Sequence, residues 1–388
     1  MRSVFKACLI AAMGAAVAYA AVHRHDGGAL SNPSERAANR SSLGELPRLS
    51  LERRLNPNVV PEDFAETVAT VCSFGPDVRD VASALHLIRL WSVQPAQDSR
   101  NQREIAATVA AALLDKDKFE QLFKPSIPFV VRTRYGARFA EPEFFSPLRE
   151  KQYEESHIAL TLSVLAELGV AADTPLDTSE GRMHIRDAVD DLVANFSPEM
   201  EQEWATVALA FYVSPARTWT NKFGEQFSFD SQVEMFTAKQ VGQGSSCGGT
   251  HALYTLAVLL NLDQRTPILS DSSRRKARGF LEGACRLLAR SQLPSGAWDI
   301  TWAQEHNEQR LDPDRQWNVV REVLITGHHL EWIAISDVDL PVRDDILVRA
   351  AEFISRETRA CDRRHFLKHI CPYSHGPRAL ALLTRPTL

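Results

Sequence analysis

Two segments of the chain place a cysteine four residues before a histidine, at the mouth of an apolar stretch. They are SSCGGTHALYTLAVLL, with Cys247 and His251, and CPYSHGPRALALL, with Cys371 and His375. Residues i and i+4 share one face of a helix, so the thiol and imidazole of each segment point the same way. Zinc favours four nitrogen and sulfur ligands, which these residues would supply. A shared zinc ion, a Cys247–Cys371 disulfide and separate packing roles are the three alternatives.

Two candidate acid–base pairs consist of a histidine and a glutamate three residues apart. His328 and Glu331 share a helical face, and a carboxylate beside an imidazole raises the basicity of the ring. In a closed cavity, this pair would work as a general acid and base. Alternatively, the glutamate only satisfies a buried histidine. Glu154 and His157 repeat the spacing and are predicted to line the same pocket.

Trp204 and Arg378 complete the predicted pocket lining, together with His251 and His375. Trp204 fits either core packing or a platform for a ligand. Arg378 follows Pro377 near the start of the last apolar helix. There it would bind an anion with help from the helix N-terminus, or form a surface salt bridge.

Length and charge limit the classes of protein to consider. The chain has 388 residues, of which 44% are hydrophobic, and these are enough for a large core. The net charge of −5 implies no basic face, so nucleic acid is not expected as a partner. Apart from Cys8, five cysteines remain at scattered positions, and an odd number leaves at least one thiol unpaired.

The N-terminus resembles a secretory signal. Arg2 and Lys6 precede an apolar stretch at 7–22 that ends near the small-residue sequence AYA. We expect a cleaved signal peptide, or alternatively an N-terminal anchor, over residues 1–22, and hence a periplasmic or secreted protein. Residues 23–60 are polar and are predicted to form a linker.

From residue 61 to residue 388, the pattern is helical. Apolar residues recur at i, i+3, i+4 and i+7, and about six pairs of helices follow one another. In most pairs, the first helix is charged on one face and the second is apolar nearly all round, which is typical of an outer and an enclosed helix. The sequence therefore predicts an all-α fold, an (α/α)6 toroid of outer–inner hairpins around a central cavity. One small β-hairpin is predicted at 125–140.

A repeat supports this arrangement. His157, Trp204, His251, His328 and His375 lie on the predicted inner helices at intervals of 47, 47, 77 and 47 residues. Periods of this size are typical of repeated helical hairpins. If the inner helices run in one direction, these side chains converge on one polar pocket at their N-terminal ends.

The segment SQLPSGAWD, with Gln292, Gly296 and Trp298, resembles the QW repeat of the squalene cyclase and protein prenyltransferase superfamily. The resemblance covers residues 277–302 and implies an α/α toroid similar to terpenoid cyclase domains. In that superfamily the glutamine caps a helix end and the tryptophan packs between helices, so the motif implies structure rather than activity. The D-x-D-D and D-D-x-x-D motifs of the catalytic members are absent.

Two shorter resemblances suggest other chemistry. TGHHLEWIAI is similar to the G-H-x-x-E segment of N-acylglucosamine 2-epimerase-type barrels, whose histidine works on a sugar; the matching residues are His328 and Glu331. CGGTH and SHG are similar to segments of lanthipeptide cyclase toroids, which bind zinc through two cysteines and a histidine.

The sequence thus predicts a toroid protein with a histidine-lined pocket for a small-molecule or carbohydrate ligand. The predicted chemistry is acid–base work by His328 and Glu331. The alternatives are a non-catalytic binding or scaffold protein, and a zinc-dependent enzyme with Cys-x-x-x-His ligands. Membrane contact is expected only through the N-terminal segment.

Overall fold

Helices make up most of the structure, a computed structural model that describes residues 46–53, 55, 63–73, 80–93, 99–125, 127–141, 157, 159–242, 246–304, 315–336 and 339–384. The strands within these ranges are few and short. The predicted all-α fold is therefore confirmed.

The described helices are of two kinds. One kind has an exposed polar face: α1 (Asp63–Ser73), α3 (Ser99–Leu114), α4 (Lys116–Phe123), α6 (Ile185–Asn195), α8 (Phe229–Thr237), α10 (Asp271–Ser291), α12 (Asp344–Ala360) and α13 (Arg363–Lys368). The other kind, called the buried helices below, comprises α2 (Val81–Ser92), α5 (Leu160–Glu167), α7 (Glu203–Tyr212), α9 (Thr250–Asp263), α11 (Arg315–Ala334) and α14 (Ile370–Leu383).

The sequence explains the difference between the two kinds. In α10, the buried residues repeat every three or four positions and leave a charged face for solvent. In α7, every residue from Glu203 to Tyr212 is buried, and the segment is apolar nearly all round. Such a helix needs packing partners on all sides, whereas α10 needs them on one side only.

The buried helices contact one another in chain order. α2 packs against α5, α5 against α7, α7 against α9, α9 against α11 and α11 against α14. α14 in turn packs against α2, so the last helix of the series contacts the first. Residues far apart in the chain are thereby brought to adjacent helices.

The β-hairpin predicted at 125–140 is confirmed. Strand β1 (Val130–Arg132) pairs antiparallel with β2 (Ala137–Phe139). Two further hairpins were not predicted from the sequence, and their strands are β3 (Pro175–Thr178), β4 (Gly181–His184), β5 (Thr218–Thr220) and β6 (Gln226–Ser228). These strands have three or four residues each, too few for alternation to be recognised.

The helical body begins earlier than residue 61. Leu46 and Leu55 are buried in the main core, and the Ser50 backbone N–H donates to the side chain of Asn261 on α9 at 2.7 Å. Part of the predicted linker 23–60 therefore belongs to the body, because Leu46 and Leu55 pack into the main core.

The predicted signal segment 1–22 lies outside the described residues. Among the described helices, none has both the length and the apolarity required to cross a membrane.

Helices α11 and α14 approach each other closely at a pair of glycines. A Cβ atom on Gly327 would lie 2.7 Å from the backbone nitrogen of Gly376 and 3.0 Å from Cβ of His375. Only glycine leaves room for this approach. The approach matters for function because His328 and His375 are the neighbours of these two glycines.

We expect Gly327→Ala to lower the free energy of unfolding by about 1–3 kcal/mol, because the added methyl group overpacks the α11–α14 contact. Gly279→Ala on α10 is the matched control, since a Cβ there meets nothing within 4 Å. The control should be neutral or stabilising by up to about 1 kcal/mol, because alanine favours helix over glycine. Urea denaturation would measure the free energy of unfolding of both variants. Equal destabilisation by the two changes would contradict the close approach.

Candidate functional site

One aromatic side chain from each buried helix, or from the residues directly before it, lies at a common level. We call this set the aromatic layer; it consists of His86, His157, Trp204, His251, His328 and His375. The ring centroids of His328 and His375 are 3.8 Å apart, those of His251 and His328 are 5.1 Å apart, and those of His157 and His251 are 4.9 Å apart. The ring centroid of Trp204 is 5.3 Å from that of His251, so all five residues of the predicted repeat are neighbours in space.

His86 is the member of the aromatic layer that sequence reasoning missed. It lies on α2, and its ring is 5.1 Å from that of His375. The helix begins at Val81 because the side chain of Asp80 caps it and accepts from the Ser83 backbone N–H at 2.8 Å. The sequence signal that could have identified His86 is a single histidine inside the largely apolar segment VASALHLIRLWS.

A second set of side chains lies beside the aromatic layer and is called the charged layer; it consists of Arg89, Glu167, Tyr254, Glu331 and Arg378. Arg378 joins both carboxylates, with Nη1 at 2.8 Å from Glu331 Oε1 and Nη2 at 3.1 Å from Glu167 Oε2. Arg89 Nε donates to Glu167 at 3.0 Å, and the Tyr254 hydroxyl donates to Glu167 at 2.7 Å. Two buried cations and two buried anions therefore neutralise each other.

The two layers are related by one helical turn. Arg89, Tyr254, Glu331 and Arg378 each follow a histidine of the aromatic layer by three residues. Positions i and i+3 lie one above the other on a helix. Since the charged residue follows the histidine in every case, α2, α9, α11 and α14 contribute to the two layers in the same chain direction.

Four imidazoles of the aromatic layer, those of His86, His251, His328 and His375, are neutral at ordinary pH. Burial lowers the pKa of His86 to about 3, with a further contribution from neighbouring His375. Burial also lowers the pKa of His251 to about 4, and that of His328 well below its ordinary value. The pKa of His375 is lowered for the same reason, although Glu331 opposes the shift. These rings are therefore available as bases or as metal ligands.

Glu331 is the ionised centre of the site. Burial would raise its pKa, but hydrogen-bonded His375 and the guanidinium groups of Arg89 and Arg378 lower the pKa well below its ordinary range. Glu331 Oε2 accepts from His375 Nδ1 at 2.8 Å but lies 3.8 Å from His328 Nδ1. The sequence paired Glu331 with His328, whereas its hydrogen bond goes to the histidine on the neighbouring helix.

A second carboxylate lies beside two other histidines of the aromatic layer, His157 and His251. Glu201, just before α7, lies 3.1 Å from His157 Nδ1 and 3.6 Å from His251 Nδ1. Burial would raise the pKa of Glu201, but the two histidines lower it. Sequence reasoning missed this residue because it lies 44 positions from His157. Glu154, the predicted partner of His157, lies outside the described residues.

Three nitrogens of the aromatic layer have no hydrogen-bond partner among the described residues. They are Trp204 Nε1, His251 Nδ1 and His328 Nε2, and all three are fully buried. Buried polar atoms in native proteins are nearly always paired, and each exception calls for a physical explanation. A bound ligand or ion that supplies the missing partner is one such explanation.

The four predicted zinc ligands fall into two groups. The ligand atoms of Cys247, His251 and His328 lie within 4.8 Å of one another, and so do those of Cys371, His375 and the newly found His86. No group among the described residues contains both cysteines. No disulfide joins Cys247 to Cys371 in this structure.

The start of α9 has an unusual backbone that positions Cys247 and His251. Gly249 has φ of 87°, and a Cβ there would lie 2.6 Å from Cα of Gly242. Cys247 itself has φ of 51°, in the left-handed region that non-glycine residues rarely adopt. Trp302 Nε1 donates to the carbonyl oxygen of Gly248 at 2.8 Å and holds this turn.

The QW-like residues make hydrogen bonds that hold neighbouring segments together. Gln292 ends α10, and its Nε2 donates to the carbonyl oxygens of Gly296 and Ile346, each at 2.9 Å. Trp298 is fully buried, and its Nε1 donates to the Leu288 carbonyl oxygen at 3.0 Å. These contacts join α10 to its neighbours and place no reactive group in the site.

A cavity of about 230 Å³ adjoins the aromatic layer. It is lined by the β1–β2 hairpin, the start of α5 and one side of α6, and His157 is among the lining residues. Because the His157 ring also contacts His251, His157 connects this cavity with the aromatic layer.

No known protein family, curated protein or solved structure matches the chain.

We expect Glu331→Gln to lower the free energy of unfolding by about 3–5 kcal/mol, because it removes one charge from a buried ion network and leaves Arg378 and Arg89 with a single carboxylate. Asp345→Asn removes a carboxylate paired with Arg343 on the exposed surface and should have no measurable effect. Thermal denaturation of the two variants would compare them. A stable Glu331→Gln protein would contradict the central role of this carboxylate.

We also expect stability to fall as the pH falls below about 6.5. In the unfolded chain, histidines bind protons near their ordinary pKa of 6.5, whereas the folded chain holds His86 and His251 neutral to much lower pH. The unfolded state then binds more protons, so acid favours unfolding. Between pH 7.5 and pH 5.5, each such histidine should cost about 1 kcal/mol. Urea denaturation at the two pH values would measure the loss, and a pH-independent midpoint would contradict it.

Proposed function

We propose that this protein is an extracytoplasmic α/α-toroid enzyme that performs acid–base chemistry on a carbohydrate or similar polar ligand. His328 is the residue that moves the proton. The toroid is supported by the closed series of contacts among the buried helices and by the alternation of the two kinds of helix. The resemblance of SQLPSGAWD to a QW repeat supports the same arrangement.

The observation that carries the proposal is the unpartnered Nε2 of His328. This atom is buried, has no hydrogen-bond partner among the described residues, and belongs to a ring whose pKa is lowered well below its ordinary value by burial. A neutral imidazole with a free ring nitrogen accepts a proton from a substrate C–H or O–H group. Its position inside the aromatic layer excludes bulk water from the transfer.

Glu331 acts as a positioning residue. Its carboxylate lies 3.8 Å from His328 Nδ1 and is held by Arg378 at 2.8 Å. A negative charge at this distance stabilises the imidazolium that forms when His328 takes a proton. The His328 imidazolium then returns its proton to the ligand, which leaves the ring neutral again.

The charge balance of the site favours a neutral, hydroxyl-rich ligand. Arg89 and Arg378 are both paired with carboxylates, so neither is free to bind a diphosphate. The imidazole nitrogens and Glu201 offer acceptors for hydroxyl groups instead. The similarity of TGHHLEWIAI to a sugar-epimerase segment, and the expected export of the protein, both agree with a carbohydrate.

The experiment is solvent exchange. The protein is incubated in D₂O with a panel of aldoses, N-acetylated amino sugars and uronic acids, and deuterium incorporation is followed by proton NMR. We expect exchange at a carbon of at least one sugar class. His328→Asn should slow that exchange by about 10²–10⁴-fold, the usual contribution of a general acid or base.

His184→Asn is the matched control, because His184 is an exposed histidine at the start of α6, outside both layers. The His184→Asn variant should catalyse deuterium incorporation at the wild-type rate. Equal rates for His328→Asn and wild type would contradict the role of His328. Line broadening of a sugar without any exchange would favour the non-catalytic binding protein instead.

A further inference from the structure

His86, Cys371 and His375 form a compact group at one side of the aromatic layer. Their nitrogen and sulfur ligand atoms lie within 4.8 Å of one another. Cys371 Sγ is 3.8 Å from His375 Nε2, one helical turn apart on α14, and His86 comes from α2, against which α14 packs. Three good ligands for a soft divalent ion are therefore gathered by two adjacent helices.

Hydrogen bonds fix the two imidazoles in the form that binds metals. His86 Nδ1 lies 2.8 Å from the Ala82 carbonyl oxygen, and His375 Nδ1 lies 2.8 Å from the Glu331 carboxylate. Both partners are acceptors only, so Nδ1 carries the hydrogen in each ring and the lone pair is on Nε2. Metal-binding histidines nearly always have this kind of outer partner, a carbonyl or a carboxylate.

The ligand spacing suits zinc. In a tetrahedral site with Zn–S near 2.3 Å and Zn–N near 2.05 Å, sulfur and nitrogen ligands lie about 3.6 Å apart. The 3.8 Å between Cys371 Sγ and His375 Nε2 is close to this value. Zn²⁺ with one thiolate leaves a single net positive charge, and the Glu331 carboxylate lies on the far side of the His375 ring, where it accepts from Nδ1.

We propose that His86, Cys371 and His375 bind one zinc-class divalent ion and leave its fourth position for water or a ligand. The site goes beyond the proposed acid–base function and does not depend on it. The ion would lie next to His328, whose ring centroid is 3.8 Å from that of His375. A metal there would polarise an oxygen of a ligand held at the same place.

The neighbouring group of Cys247, His251 and His328 is the competing arrangement. Its imidazoles lack the short outer hydrogen bonds of the first group. His251 Nδ1 has no hydrogen-bond partner among the described residues and lies 3.6 Å from Glu201, and His328 Nδ1 lies 3.8 Å from Glu331. The two cysteines therefore make a matched pair of variants, because each belongs to one group only.

The experiment measures metal on the full chain, purified without an affinity tag that binds metals. Plasma mass spectrometry should find about one zinc per wild-type chain. Substitution by Co²⁺ should give the visible bands of a tetrahedral site and a thiolate–cobalt charge-transfer band. Cys371→Ser should lose the charge-transfer band and most of the metal, whereas Cys247→Ser should keep both. Circular dichroism checks that each variant is folded.

Two further variants keep the test decisive if Cys371→Ser does not fold. His86→Asn should also lose the metal, and Glu331→Gln should weaken Co²⁺ binding by about 10–100-fold, as removal of an outer partner does. Loss of metal from Cys247→Ser with retention in Cys371→Ser would overturn the proposal and assign the ion to the competing group. Wild-type protein without metal, or equal metal in every variant, would also overturn it. None of these readouts uses activity, so the exchange experiment can fail independently.

Discussion

The Glu331 carboxylate is the contact on which the site depends. It joins Arg378 and His375 of α14 to its own helix, α11, and Arg89 of α2 lies 4.0 Å away. A buried carboxylate costs several kcal/mol unless charges and hydrogen bonds compensate it. The pairing therefore fixes the relative position of three helices, and the histidines that those helices carry are positioned with it.

The layered arrangement separates the buried ion pairs from the histidines that are candidates for chemistry. The charged layer holds its ion pairs one helical turn beyond the aromatic layer, and burial keeps His86, His251, His328 and His375 neutral. A ring whose pKa is lowered is unprotonated at ordinary pH, so a nitrogen lone pair is available to a proton or a metal ion, whereas a protonated ring has none. The close approach of α11 and α14 at Gly327 and Gly376 then brings two of these rings to 3.8 Å.

Both proposals use the same physical property, neutral imidazoles with available ring nitrogens, at different members of the aromatic layer. His328 has a nitrogen without a hydrogen-bond partner in the described part of the chain and suits proton transfer. His86 and His375 have their Nδ1 hydrogens bound by acceptors and suit a metal. The difference between them lies in their hydrogen-bond partners and not in residue type, which is the same in all three.

The sequence by itself determined the helices, their alternation, and the histidines of the 47-residue repeat, because apolar periodicity and i, i+4 spacing are local properties of a chain. It missed His86, Arg89 and Glu201, and it paired Glu331 with His328 instead of His375. Glu201 and its partner His157 are 44 positions apart in the chain, and so are Glu331 and His375. Only the packing of helices against one another decides which of these residues meet. The separation of Cys247 from Cys371 into different groups was likewise decided by the tertiary structure, since a spacing pattern within one helix cannot specify the distance to another.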